Sequence, residues 1–298
     1  FLFGMTASST FGLLPLFTLP IMSEGLTTNS ILCYRMLFAS VLVAVLMQVR
    51  KIAFRTNLRE LLWFAFLGFF YYGSASLLFQ AYGTMSSGMA TTLHFLYPVG
   101  VTLIMALVFK QRPSPFTILA IILGLSGVAL LSLKEGGGSS SASLVGILLV
   151  LLSGLSYAAY LVTMNNVRRV REANNLKLTL YVLIFSALFF LLDTSLSGGL
   201  QMIPSGRALT NLLLLAFLPT LVSNLALVRA VKSIGSTLTS VLGAMEPLTA
   251  IVIGVVVFGE EVTGPMALGI LLILLSVTII VLSPLLDKNI ADRLRRLS

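Results

Sequence analysis

Charge is what this sequence has least of. Of its 298 residues only 10% are Asp, Glu, Lys or Arg, against about 25% in an average soluble domain. Cysteine and histidine occur once each. Cys33 has no partner for a disulfide and cannot assemble a thiolate metal site alone; His94 alone excludes a multi-histidine site. No GxxxxGK[ST] phosphate loop, HExxH pair or GxSxG elbow occurs, so direct ATP use, zinc proteolysis and α/β-hydrolase chemistry have no motif to rest on. The chain is not read as an enzyme, and no cofactor is expected. What is present is apolar: 57% hydrophobic residues and a mean hydropathy of +1.04. Such a chain is a polytopic membrane protein whose solvent is the lipid bilayer.

A helix needs about 20 apolar residues to cross about 30 Å of hydrocarbon. Ten stretches qualify: 3–22, 28–49, 60–80, 85–109, 115–133, 144–164, 176–192, 208–228, 236–258 and 264–284. The first lacks the basic start and A-x-A site of a signal peptide; the chain opens on Phe1, so a few preceding residues are expected. Sixteen of the nineteen lysines and arginines fall after spans two, four, six and eight or in the tail, Lys134 and Arg207 fall on the other side, and Arg35 lies within a span. Basic loops stay in the cytoplasm, so both termini are expected there. The same distribution explains the net charge of +9 without nucleic acid, which would call for one basic surface.

The chain also repeats itself. With residue n set against n+149, Ala81–Phe109 falls on Ala230–Phe258 without a gap. Identities are Ala81/Ala230, Ser87/Ser236, Leu93/Leu242, Pro98/Pro247, Ile104/Ile253, Val108/Val257 and Phe109/Phe258. Phe109 is followed by Lys110-Gln111-Arg112 but Phe258 by Gly259-Glu260-Glu261, opposite charges at equivalent helix ends. Five spans per half force that inversion. The expected architecture is therefore all-α, ten transmembrane helices as two inverted five-helix repeats. The first repeat is 1–134, an external Gly/Ser linker 135–143, the second repeat 144–284 and a basic cytoplasmic tail 285–298. Inverted repeats characterise transporters with a midplane substrate site.

Several local features carry a family resemblance: Tyr34-Arg35, the small-residue run Ser86–Thr92 leading to Tyr97-Pro98, Ser236–Ser240 leading to Glu246-Pro247, then Gly259-Glu260 and Gly269–Ile273. In these the sequence resembles the drug/metabolite transporter superfamily, specifically its EamA-type permeases, over nearly its whole length. The resemblance implies a bacterial inner-membrane, multi-pass carrier of small metabolites, amino acid efflux being the best-known role. Lys110-Gln111-Arg112 departs from the acidic turn that often ends the fourth span in that family.

Ionisable groups inside hydrocarbon cost at least about 2.5 kcal/mol each and are functional candidates by default. Here they are Arg35, His94 and Glu246. Glu246 lies mid-span, fit to bind a proton or a substrate ammonium, or to make a structural hydrogen bond. Its repeat equivalent is Tyr97, and both precede a proline. A mid-helix proline leaves the carbonyl four residues back without its donor, here those of His94 and Gly243, which suits them to an ammonium or hydroxyl. Arg35 is placed to take a substrate carboxylate, to pair with an acid or to cap a helix. Tyr71 in span three and Tyr157 in span six, with Tyr160 nearby, offer rings to a substrate tail or to packing. Trp63 reads as an interface anchor, and Asn224 and Gln80 as helix–helix hydrogen-bonding groups. The expected substrate site is thus Arg35, Tyr71, His94, Tyr97, Tyr157, Gly243 and Glu246, with no metal. The expected function is export of amino acids or related metabolites by alternating access as a monomer or homodimer, driven by proton coupling or by the substrate gradient. A sugar-phosphate or nucleotide-sugar antiporter and a lipid-handling membrane protein are the alternatives.

Overall fold

A computed structural model describes residues 1–82, 84, 90, 93–132, 144–258, 264–265, 267–279 and 282. The expected linker 135–143 and tail 285–298, Gly259-Glu260, and most of the run 86–92 lie outside the described residues. All regular elements among the described residues are helical, as lipid demands: in hydrocarbon each backbone N–H and C=O must be satisfied within its own segment or barrel. The helices are α1 (Leu2–Phe11), α2 (Leu14–Ser23), α3 (Thr28–Val49), α4 (Leu58–Tyr82), α5 (Tyr97–Leu107), α6 (Pro115–Ser132) and α7 (Leu144–Asn166). A short basic helix, α8 (Arg168–Glu172), leads to α9 (Asn175–Leu196). Then come α10 (Gly206–Ala216), a π-helical turn (Phe217–Val222), α11 (Ser223–Leu242), α12 (Met245–Phe258) and α13 (Ala267–Ile279). Among the described residues six stretches are long and apolar enough to cross a membrane: Leu2–Ser23, Thr28–Val49, Leu58–Ala81, Leu144–Asn166, Asn175–Leu196 and Gly206–Leu242. The helices Tyr97–Leu107, Pro115–Gly127 and Ala267–Ile279 are shorter and apolar.

Two helices of the second half, α9 and α10, start where the sequence provides a cap. Asn174 accepts from the amides of Leu176 and Lys177, and Ser205 from that of Ala208, using donors that a helix start leaves orphaned. Against expectation, the segment around Lys232 is helix rather than loop. The Lys232 ammonium donates to the Ala173 carbonyl at 2.7 Å and to Asn175 Oδ1 at 2.8 Å, so the basic face is tied down. The chain breaks later, at Gly235, with φ +84°.

Packing follows the duplication. Helices of the first half pack on helices of the second: α4 lies along α7, α1 along α11, and α3 along α9. The last two are each 22 residues long and begin 147 residues apart. They run antiparallel: Asn29 at the start of α3 meets Asp193 near the end of α9 at 3.4 Å, while Phe54 just beyond α3 meets Tyr181 near the start of α9. Equivalent helices pointing in opposite directions are what an inverted repeat requires. The same offset of 147 relates two hydrogen bonds. Tyr34 donates its hydroxyl to the Gln201 carbonyl at 2.7 Å, and Tyr181 donates to the Phe54 carbonyl at 2.7 Å. Each clasps a loop of the other half, one at each face. Around Tyr34, Gln201 also accepts from the Thr27 amide at 2.6 Å and donates its own amide to Ser30 Oγ at 3.2 Å; around Tyr181, the Lys177 ammonium donates to the Arg55 carbonyl at 2.8 Å.

Each clasp is one side-chain hydrogen bond, so Tyr34→Phe and Tyr181→Phe should each lower stability by about 1 kcal/mol. Sharing no partner and lying at opposite faces, they should add within about 0.5 kcal/mol in the double variant, read as the midpoint of unfolding in mixed detergent and SDS.

Candidate functional site

Two helices break close to positions that the repeat pairs. Ahead of α5, Leu93 and His94 are helical, Phe95 and Leu96 form a turn, and Tyr97 restarts the helix; ahead of α12 the turn is Gly243–Ala244. Pro98 and Pro247 follow one residue after Tyr97 and Glu246 and suit a first helical turn, where an amide is surplus. The breaks therefore fall just before the two residues that the duplication pairs. Their backbones are approached closely: a Cβ added to Gly154 of α7 would meet the His94 carbonyl at 3.3 Å, and one added to Gly12, in the turn between α1 and α2, would meet the Glu246 carbonyl at 2.5 Å. The carbonyl expected to be free at Gly243 is taken up, because the turn lets the Glu246 amide donate to it at 2.9 Å. Gly243 itself makes room: a Cβ there would overlap the Tyr97 hydroxyl.

Arg35 comes from α3 and is buried, 5% exposed. Its Nη2 donates to the Tyr71 hydroxyl at 3.2 Å, and its Nε has no partner. The ion pair found among the described residues is the exposed Arg168–Glu172, so no carboxylate lies within 4 Å of the Arg35 guanidinium there. Asn224 reaches Tyr71 from the other side, its Nδ2 donating at 3.2 Å to the Tyr71 hydroxyl and at 2.8 Å to the Thr220 carbonyl. That carbonyl can only accept, which assigns the amide orientation. Tyr71 oxygen thus accepts twice, and its own hydrogen remains to be given. Arg35 Nε–H and Tyr71 O–H are among the donors left for a further acceptor.

From Tyr71 a run of rings leads to the broken helices. Tyr71 and Tyr160 centroids lie 5.4 Å apart, Tyr160 and Tyr157 5.9 Å, and Tyr157 and Tyr97 4.8 Å in an edge-on pair. His94 lies 5.7 Å from Tyr97 and 6.0 Å from Tyr157. Tyr97 and Tyr160 are buried, whereas Glu246, His94 and Tyr157 each retain accessible surface. The orientation of His94 follows from one hydroxyl. Ser153 Oγ donates to the Ser74 carbonyl at 2.5 Å and lies 3.0 Å from His94 Nδ1. Having a single hydrogen, Ser153 must accept from Nδ1–H, so in the neutral ring Nε2 carries the lone pair.

Of the expected site residues, Arg35 and Tyr71 are thus joined through Tyr160 to Tyr157, Tyr97 and His94, with Gly243 beside Tyr97 as a spacer and Glu246 three residues further along the chain. Over this helical frame the profile of the EamA-like transporter family matches residues 1–133 and 144–282. The chain belongs to that family. It lies within the drug/metabolite transporter superfamily and is a multi-pass membrane protein. An uncharacterized transporter from Synechocystis sp. is 26% identical over 237 residues, covering 78% of this chain and 71% of its own. A protein of known crystal structure shares the fold, with a TM-score of 0.82 over 97% of both chains at 19% identity.

One residue beside Arg35 and Tyr71 in this EamA-like transporter escapes sequence reasoning as a site residue: Asn224, read as helix–helix glue. For Asn224 a signal exists. Pro219 interrupts the eighth span, and the chain responds with a π-helical turn in which Thr220 Oγ1 reaches back to the Leu215 carbonyl at 2.8 Å. Such turns re-aim side chains, often at functional sites. The spacing at Gly243 gives a direct test. Gly243→Ala should destabilise by about 1–3 kcal/mol through overpacking. Since the clashing atom is the Tyr97 hydroxyl oxygen, Gly243→Ala/Tyr97→Phe should recover part of that loss, measured by thermal unfolding of the purified variants.

Proposed function

We propose that this chain is a secondary transporter that exports amino acids or related metabolites by alternating access. The observation carrying this reading is the pair of unused donors on Arg35 and Tyr71 in a buried, uncompensated cationic site. A buried guanidinium without a carboxylate favours binding one, and its planar fork suits that group. Glu246, across the row of tyrosines, is the counterpart for a substrate ammonium or for a coupling proton. Tyr157, Tyr160 and Tyr97 supply flat apolar walls for a side chain. Ten spans in two inverted halves, with the basic face cytoplasmic and both termini there, make up the proposed topology in a bacterial inner membrane. The two halves then rock about a centre whose broken helices, α5 and α12, come one from each half. A phosphate-bearing substrate is less well served, since Arg35 is the one guanidinium of this centre.

The test is counterflow of labelled amino acids in proteoliposomes, competed by unlabelled amino acids, sugar phosphates and lipids. Competition by a narrow set of amino acids is expected; competition by sugar phosphates or lipids alone overturns the reading. Arg35→Gln should lower kcat/KM roughly 100-fold by leaving the carboxylate unpaired. Arg35→Lys should restore little of it, because an ammonium lacks the fork. Glu246→Gln separates the roles of that carboxyl. If it binds a proton, the variant loses the difference in rate between about pH 6 and pH 8; if it meets the ammonium, the variant loses amino acid counterflow at both.

A further inference from the structure

A second polar concavity lies on the basic face, outside the Arg35 centre. A cavity of about 220 Å³ opens between the loop that follows α5 and the Gly235 break in α11. Gln111, Arg112 and Ser114 line it from the loop, Asn165 from the end of α7, and Ser236 and Thr237 from beyond the break. Its walls thus come from both halves of the chain. Local geometry builds each wall. Lys110 adopts φ +54° and the Gln111 amide donates to the Met105 carbonyl at 3.1 Å, folding the loop back so that Arg112 stands at the rim. Opposite, Gly235 at φ +84° and ψ 168° turns the chain in a region essentially reserved for glycine, and the nearest atom to a Cβ there would be Asn165 Nδ2 at 3.9 Å.

Two features ask for a ligand. Ser236 is fully buried at 0% exposure, and its hydroxyl has no hydrogen-bond partner, which is costly for a group cut off from water. The lining holds one cation, Arg112, and no acid. One guanidinium with hydroxyl and amide groups matches a singly charged oxyanion better than a phosphate dianion, which calls for more than one cation.

We propose that this cavity is a capture site on the cytoplasmic face for the carboxylate of the substrate, occupied before the Arg35 centre is reached. Resting on the export reading above, it assigns Arg112 to attract the carboxylate and Ser236 to hold it. Its place beside the Gly235 break puts the first contact at the seam between the two halves.

The experiment measures saturable uptake of labelled L-leucine, L-threonine and L-phenylalanine into inside-out membrane vesicles, where the cytoplasmic face is outward. Arg112→Gln and Ser236→Ala should each raise KM roughly tenfold, the loss of one charge-assisted or buried hydrogen bond, with the maximal rate held within about twofold. Arg112→Lys should recover most of the affinity, and the rise of wild-type KM with added salt should flatten in Arg112→Gln. Arg169→Gln, on the same face but outside the cavity, should behave as wild type. A retained maximal rate also shows that the variants fold, and Ser236→Ala removes an unsatisfied hydroxyl rather than a contact. If the wild type transports but KM does not move, or the maximal rate falls at unchanged KM, the capture site is overturned and the export reading stands. If the wild type takes up none of the three, the export reading is overturned and the capture site with it.

Discussion

A guanidinium held among apolar helices must be solvated by the protein or by what the protein binds. At Arg35 the protein provides one hydroxyl, that of Tyr71, and leaves Nε without a partner. The surrounding structure reads as an answer to that demand. Tyr71 is held by Asn224, Asn224 by a carbonyl within a π-helical turn, and that turn follows from a proline in mid-span. Breaking the cluster at any point strands a buried polar group, a cost larger than the net worth of the bond itself. The cluster is therefore rigid for the same reason that it is receptive.

The second constraint is the bilayer's intolerance of unpaired backbone. Helices can break within hydrocarbon only where protein or a cavity surrounds the break. Here the breaks ahead of Tyr97 and Glu246 are packed by glycines of α7 and of the α1–α2 turn, and the carbonyl at Gly243 is recaptured by the Glu246 amide. The duplication makes this economical, because one local solution serves twice. The two tyrosine clasps show the same logic at the loops, each half holding a loop of the other at opposite faces.

Most of the frame is legible in the sequence because the forces that set it are local. Thr28–Val49 is the second span to the residue, since hydrophobicity over about 20 residues and the helix period need no tertiary context. The breaks at the two prolines follow from proline chemistry, and the candidacy of Arg35, His94 and Glu246 from the scarcity of charge in the apolar runs. The helix through Lys232 was not legible. Basic residues at a span end read as loop, whereas in the structure Lys232 is held by the Ala173 carbonyl and Asn175, partners that its local sequence does not reveal.

What only the tertiary structure decided is which groups meet. Arg35, Tyr71 and Asn224 lie on three helices far apart in sequence, and no periodicity connects them. The sequence left Arg35 equally fit to bind a carboxylate, pair with an acid or cap a helix. Packing decides which donors are used up and which are left over, and it leaves Nε and the Tyr71 hydrogen. Gly243 shows the same division. Its position before Glu246-Pro247 determined that the helix would break there, through the missing proline donor. That its missing side chain is filled by the Tyr97 hydroxyl depends on how α5 and α11 approach, a distance set by side chains from the whole bundle and by no single stretch of chain.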